Sequence, residues 1–179
     1  MSSAAVTAVV RSYFDALASR DLDAIVEHWQ PRGLDHLAGE DLVAPEGVRD
    51  YFAALFAAFP DLHQRVLELY SAEDRCAVRW CAGGTFRGPG RFRGFLPTGA
   101  AVTFEGADFM AITEGRIHEN HAYVDGLDVG RKLGLMPPPG SSTDRLLTTL
   151  VNVQTKARIA RAVKFFEGNV PLPRERRAG

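Results

Sequence analysis

Val102-Thr103-Phe104-Glu105-Gly106-Ala107-Asp108-Phe109-Met110-Ala111-Ile112-Thr113-Glu114-Gly115-Arg116-Ile117-His118-Glu119-Asn120-His121-Ala122-Tyr123-Val124-Asp125 reads as two strands joined by a turn. In an extended chain Val102, Phe104, Gly106, Asp108 and Met110 share one face, and Thr103, Glu105, Ala107 and Phe109 the other. Glu114-Gly115 is a hairpin turn signal, and roughly residues 116–125 read as the returning strand. Upstream the same period holds. Val66, Leu67 and Leu69 begin a strand, Ala72-Glu73-Asp74 makes a turn, and residues 75–87 form the next strand before Arg87-Gly88-Pro89-Gly90.

Before residue 60 the period is helical. Val6, Val9, Val10, Tyr13, Phe14 and Leu17 predict a first helix over roughly 3–19. Asp21 caps a short second helix with Leu22, Ile25, Val26 and Trp29, which Pro31 and Gly33 end. A third helix opens at Pro45-Glu46 and runs to Phe59-Pro60-Asp61. Helices first and hairpin-linked strands after is an α+β order, with the helices packed on the concave face of a curved antiparallel sheet. Pro137-Pro138-Pro139-Gly140 then breaks the chain. Roughly Thr143–Phe166 reads as a last helix, capped by Ser142 or Ser141, with Leu146, Leu150, Val153, Ala157, Ala160 and Val163 as one stripe. Arg145, Lys156, Arg158, Arg161 and Lys164 make it basic, and Pro171 to Gly179 reads as a frayed tail. The division expected is 1–140 for the α+β domain and 141–179 for a basic helical extension.

Composition bounds the function. The chain has 179 residues, 46% hydrophobic and 24% charged, with a formal net charge of -1. This suits one ordinary globular domain with a real core. It lacks the basic excess of broad nucleic-acid binding. The C-terminal helix is expected to pack on its own domain or a second subunit, with contact to an anionic membrane as the lesser alternative. Cys76 and Cys81 fall on opposite faces of one strand, too far apart to bridge, and read as small apolar residues of a reducing compartment. The N-terminal residues read as a helix rather than a leader, so a cytoplasmic location is expected.

Gly94-Phe95-Leu96-Pro97-Thr98-Gly99, Val102-Thr103-Phe104-Glu105-Gly106, Ile112-Thr113-Glu114-Gly115-Arg116-Ile117 and Glu119 together resemble the SnoaL-like polyketide cyclases of the nuclear-transport-factor-2-like superfamily. Asp125-Gly126-Leu127, Lys132-Leu133-Gly134 and Phe59-Pro60-Asp61-Leu62 extend the likeness across roughly residues 5–140. The resemblance implies a cone-shaped α+β barrel, dimeric through the outer face of its sheet, with an apolar small-molecule pocket. Because isomerases, cyclases, epoxide hydrolases and pure binders share that superfamily, it speaks for the fold more than for an activity. It also implies that Asp125 is the acid/base of an intramolecular aldol condensation needing no cofactor or metal. The known cyclases place an accessory histidine on the strand before; residues 101–112 contain none.

The chemistry is sound on physical grounds. Ring closure needs a proton taken from a carbon between carbonyls and the new alkoxide protonated. A carboxyl in an apolar cavity is moved toward neutrality by desolvation and can do both. Ketosteroid isomerase uses an aspartate base in this way. Asp125 could equally cap the helical segment beginning near Leu127. If Asp125 faces inward on a regular strand, so do Ile117, Glu119, His121 and Tyr123, while His118 and Asn120 face out; that alternation fails if a bulge intervenes. His121 lies about 13 Å from Asp125 along a strand, suited to the opposite end of a ligand. It could equally be a hydrogen-bonded core histidine. Asp108 could serve as a second acid or make a structural hydrogen bond, and Glu119 is expected to pair with Arg116 or Arg79. Trp29, His36, Trp80, Phe95, Phe104, Met110 and Tyr123 are candidate pocket residues for a flat hydrophobic ligand. The histidines show no tight spacing along the chain, so no metal is expected.

Three functions compete on this reading. The first is a cofactor-independent cyclase or isomerase acting on a polyketide-like polycarbonyl or aromatic molecule. The second is an epoxide-opening enzyme using Asp125 with Asp108 or His121. The third is a non-catalytic small-molecule binder or dimerisation module.

Overall fold

The computed structural model describes residues 2–37 and 39–169, with side chains to residue 161. The expected tail and the Val163 and Lys164 side chains lie outside the described residues. The chain divides into two compact units between Met136 and Pro137.

In the first unit, helix α1 (Ser3–Ser19) starts where the Ser2 hydroxyl accepts the Ala5 N–H. It buries Val6, Val10, Tyr13, Phe14 and Leu17, the stripe that its 3.6-residue period dictates. It stops at Arg20, whose left-handed backbone (φ 62°) turns the chain. The Arg20 guanidinium then donates to the carbonyls of Phe56 and Pro60 and lies over the Phe56 ring. Asp21 caps α2 (Leu22–Glu27) by accepting the N–H groups of Asp23 and Ala24. Helix α3 (Glu46–Ala58) follows the expected bounds.

The sheet holds six strands: β1 (Trp29–Leu37), β2 (Glu40–Val43), β3 (His63–Ala72), β4 (Arg75–Thr85), β5 (Ala101–Thr113) and β6 (Arg116–Val124). Their spatial order is β2-β1-β6-β5-β4-β3. The four later strands appear where alternation predicts them. The first two replace the break expected after the second helix, and β1 pairs with β6 in parallel. Both strands of that parallel pair are irregular. The register shifts between Trp29 and Leu34 in β1. In β6 Ile117 faces Ile112 and Glu119 faces Ala111, so His118 is an extra residue. That bulge inverts the alternation of β6 beyond it.

The helices cover one face of the sheet, and the core between holds Val6, Val10, Ile25, Val48, Val78, Ile112 and Ile117, all essentially inaccessible to solvent. Asp61, in the Phe59-Pro60-Asp61-Leu62 turn after α3, accepts the Thr85 N–H and hydroxyl, each at 2.7 Å. This fastens the end of α3 to the end of β4. Cys76 is buried and Cys81 half-buried, both as free thiols. Helix α4 (Gly126–Lys132) ends the sequence of elements in this unit.

In the second unit, α5 (Ser142–Asn169) is set by its N-terminal cap. The Ser141 hydroxyl accepts the Asp144 N–H, and Asp144 in turn accepts the Gly140 N–H. Among the described residues no helix is long and apolar enough to cross a membrane.

Candidate active site

Between the helices and the concave face of the sheet lies a cavity of about 460 Å³. Its wall is largely apolar and aromatic, with Phe52, Phe59, Phe86, Phe92 and Phe104 among its residues, and Phe95 half-exposed at its edge. Tyr51, Gln64 and Arg93 break that surface, as do five further polar side chains on α1 and the sheet: Tyr13, Asp35, Trp80, Asp108 and Asn120.

Each is delivered by local structure. Asp35 and Asn120 are directly paired across β1 and β6, both on the inner face, both 2% exposed. The Asn120 Nδ2–H donates to Asp35 Oδ1 at 2.9 Å. The Asn120 Oδ1 is buried without a hydrogen-bond partner, an acceptor left open beside the carboxyl. On β5, Asp108 is 6% exposed and accepts the Trp80 Nε1–H at 3.0 Å. Trp80 reaches it by lying over Gly106, where a Cβ would come within 2.4 Å of the indole ring. Only glycine leaves room for that indole. Tyr13 comes from the buried stripe of α1.

Burial sets the electrostatics. Desolvation pushes the Asp108 carboxyl up to about 7; the Trp80 hydrogen bond opposes this and the charge of Asp35 adds to it. Asp35 is pushed up to about 6 by burial, against the Asn120 hydrogen bond and the nearby His36. The Tyr13 hydroxyl is held well above its usual range, first by burial and then by both aspartates. The mutual influence of these three groups places them in one electrostatic neighbourhood. Such a site can hold one carboxyl neutral, as a hydrogen-bond donor, while another accepts a proton.

The expected site residues divide into groups. Asp108, Trp80, Phe95 and Phe104 line the cavity. Trp29 and Met110 are buried in the core instead, Trp29 edge-on to Tyr13. His121 and Tyr123 lie on the outer face, because the His118 bulge turns Asn120, Ala122 and Val124 inward in their place; His36, which follows the inward Asp35 on β1 and pairs with His121, shares that outer face. Asp125 follows the same correction. It is exposed, its Oδ1 accepts the Asp128 N–H at 2.9 Å as the cap of α4, and it borders a separate depression with Asp128 and Lys132. The pairings of Asp125 with Asp108 or His121 are therefore not assembled in the cavity. Glu119 meets neither Arg116 nor Arg79; it lies beside His36 and His121, while Arg79 pairs with Glu68 and Glu105. Tyr13, Asp35 and Asn120 were not among the expected site residues. Tyr13 carried the signal of a core helix position, and Asp35 sat in a stretch read as loop.

A family profile described as SnoaL-like polyketide cyclase matches residues 7–133. A comparison with curated proteins gives no significant match. Among solved structures, AclR of Streptomyces galilaeus, described as a candidate hydroxylase, is 25% identical with a TM-score of 0.66, over 76% of this chain and 100% of that one. A SnoaL-like candidate polyketide cyclase of Jannaschia sp. CCS1 is 23% identical with a TM-score of 0.67, over 76% and 95% of the two chains. IdmH of Streptomyces antibioticus, a candidate polyketide cyclase, is 24% identical with a TM-score of 0.62, over 72% and 98%. With the profile covering well over half of its length, the chain belongs to the SnoaL-like polyketide cyclase family.

Proposed function

We propose that the chain catalyses acid/base ring closure or isomerisation of a polyketide-like polycarbonyl or aromatic molecule held in the 460 Å³ cavity. The observation that carries this reading is the presence of two buried carboxyl groups, Asp35 and Asp108, on the wall of one apolar cavity. Asp35, positioned by the Asn120 N–H, takes a proton from a carbon flanked by carbonyls. The electron pair of the broken C–H bond passes into an enolate. Asp108, kept neutral by burial, donates a hydrogen bond to the enolate oxygen, and the Tyr13 hydroxyl is placed to do the same. In ring closure the enolate carbon attacks a second carbonyl of the same molecule, forming the C–C bond. The resulting alkoxide then takes its proton from Asp35, which returns to its starting state. The aromatic walls hold a flexible chain in one reactive pose, and this supplies the orientational part of the acceleration.

The test uses the full chain and an aryl 1,3-diketone probe in deuterated water, following exchange of the acidic C–H by NMR and binding by fluorescence quenching. The protein should accelerate exchange. Asp35→Asn should lower that acceleration about 10²–10⁴-fold while retaining the probe. Binding without exchange in the parent chain would make it a binder. Undiminished exchange in Asp35→Asn would remove the assigned base.

A further inference from the structure

We propose that His36, Glu119 and His121 form a binding site for a divalent transition ion that favours imidazole, zinc being its representative, on the outer face of the sheet. The site draws on residues that do not line the cavity. His36 and His121 are directly paired across the parallel strands β1 and β6, and their rings stack with centroids 4.5 Å apart. The Nε2 atoms of both face the same carboxylate oxygen, Glu119 Oε1, at 3.7 and 3.6 Å. One ligand atom from each of the three lies within 4.8 Å of the others. A tetrahedral ion with bonds of roughly 2.0–2.1 Å sets its ligands roughly 3.4 Å apart, so small ring rotations bring these atoms onto one ion.

The surroundings suit ligation as well. His36 Nδ1 lies 2.7 Å from Asp41 Oδ1. A carboxylate only accepts, so Nδ1 carries the hydrogen and Nε2, which faces Glu119, is the nitrogen left to bind an ion. A carboxylate behind a histidine in this way orients the ring and raises its basicity toward a metal. Two imidazoles and one carboxylate favour a zinc-like ion over magnesium or calcium, and three protein ligands leave a position for water or another group. Two neighbouring strands carry the ligands, which makes the arrangement more rigid than a loop site. The His36–His121 pair directly follows the Asp35–Asn120 pair in register. An ion on the outer face would therefore fasten the two strands immediately behind the cavity carboxyl. Spacing along the sequence could not reveal this set, because its members come from strands more than eighty residues apart in the chain.

The test titrates zinc chloride alone into the full chain, stripped with chelator, by calorimetry, with cobalt absorption as a ligand-geometry readout and thermal melting in parallel. The parent chain should take up one equivalent and melt at a higher temperature with zinc. Asp41→Asn should weaken binding about 10–100-fold. His121→Ala and the shape-conserving Glu119→Gln should weaken it further and abolish the zinc-dependent rise in melting temperature. His63→Ala, away from the cluster, should bind as the parent does. No zinc uptake by the parent chain would overturn the site and leave a plain ion-pair cluster. Unaltered uptake in both His121→Ala and Glu119→Gln would overturn it too, placing the ion on the cysteines or other histidines.

Discussion

Asp108→Asn separates a buried neutral acid from an ordinary surface carboxylate. The substitution keeps the shape of the side chain, and its amide oxygen can still accept the Trp80 Nε1–H that lies 3.0 Å from Asp108 Oδ1. What it removes is the titratable proton. In the folded protein burial lifts this carboxyl from 3.8 to about 7. The folded value lies above the unfolded one, so the stability linked to this group is fully present below about pH 4 and is lost as pH rises through about 7. A span of about three pH units, at roughly 1.4 kcal/mol each, amounts to about 4 kcal/mol. Urea unfolding of parent and variant, measured between about pH 4 and about pH 8, isolates the term, since other groups largely cancel in the difference. The parent should lose about 4 kcal/mol relative to the variant across that range. Parallel pH profiles would show that Asp108 ionises as freely folded as unfolded, and the neutral donor assigned to the cavity would be lost with it.

Two further substitutions address neighbouring parts of the argument. Asp125→Ala removes the cap of α4 and should cost about 0.5–2 kcal/mol in urea unfolding. The same variant should leave diketone exchange unchanged; a collapse of exchange would return the catalytic role to Asp125. Gly106→Ala places a methyl group within 2.4 Å of the Trp80 ring. It should destabilise by about 1–3 kcal/mol and shift the tryptophan fluorescence as the indole leaves Asp108. Parent-like stability with an unmoved spectrum would show that Gly106 does not hold the indole in place.

Most of the fold was legible because its local signals agree with its tertiary demands. The α1 stripe and the β5 alternation each specify one buried face, and Glu114-Gly115 specifies the turn after β5. β1 was not legible. Pro31 and Gly33 read as helix breakers, Arg32 adopts a positive φ of 66°, and the register shift erases a period of two. The strand exists because β6 offers it a parallel edge, a contact that no local pattern reports. Asp35 was missed for the same reason: in Arg32-Gly33-Leu34-Asp35-His36 a carboxylate looks like loop chemistry until β6 brings Asn120 to it. Asp108 was legible as a candidate because its strand was regular, so its face could be read from its neighbours.

His118 shows why a family likeness fixes the fold more firmly than it fixes the site. Without the extra residue, regular alternation from Ile117 would turn Glu119, His121 and Tyr123 toward the cavity, and Asn120 would face outward. With it, Asn120 meets Asp35 inside while Glu119 and His121 meet His36 outside. One inserted position thus assigns a polar pair to one face of the β1–β6 ribbon and a cluster of potential metal ligands to the other. Since the side-chain period of a strand is two, any gain or loss of one residue exchanges the chemistry of the faces while leaving the backbone topology intact. Residue roles in a sheet-walled cavity of this kind therefore follow the register of the strands, and Asp125, one position past the end of β6, is governed by the helix it caps rather than by the face that regular alternation would assign it.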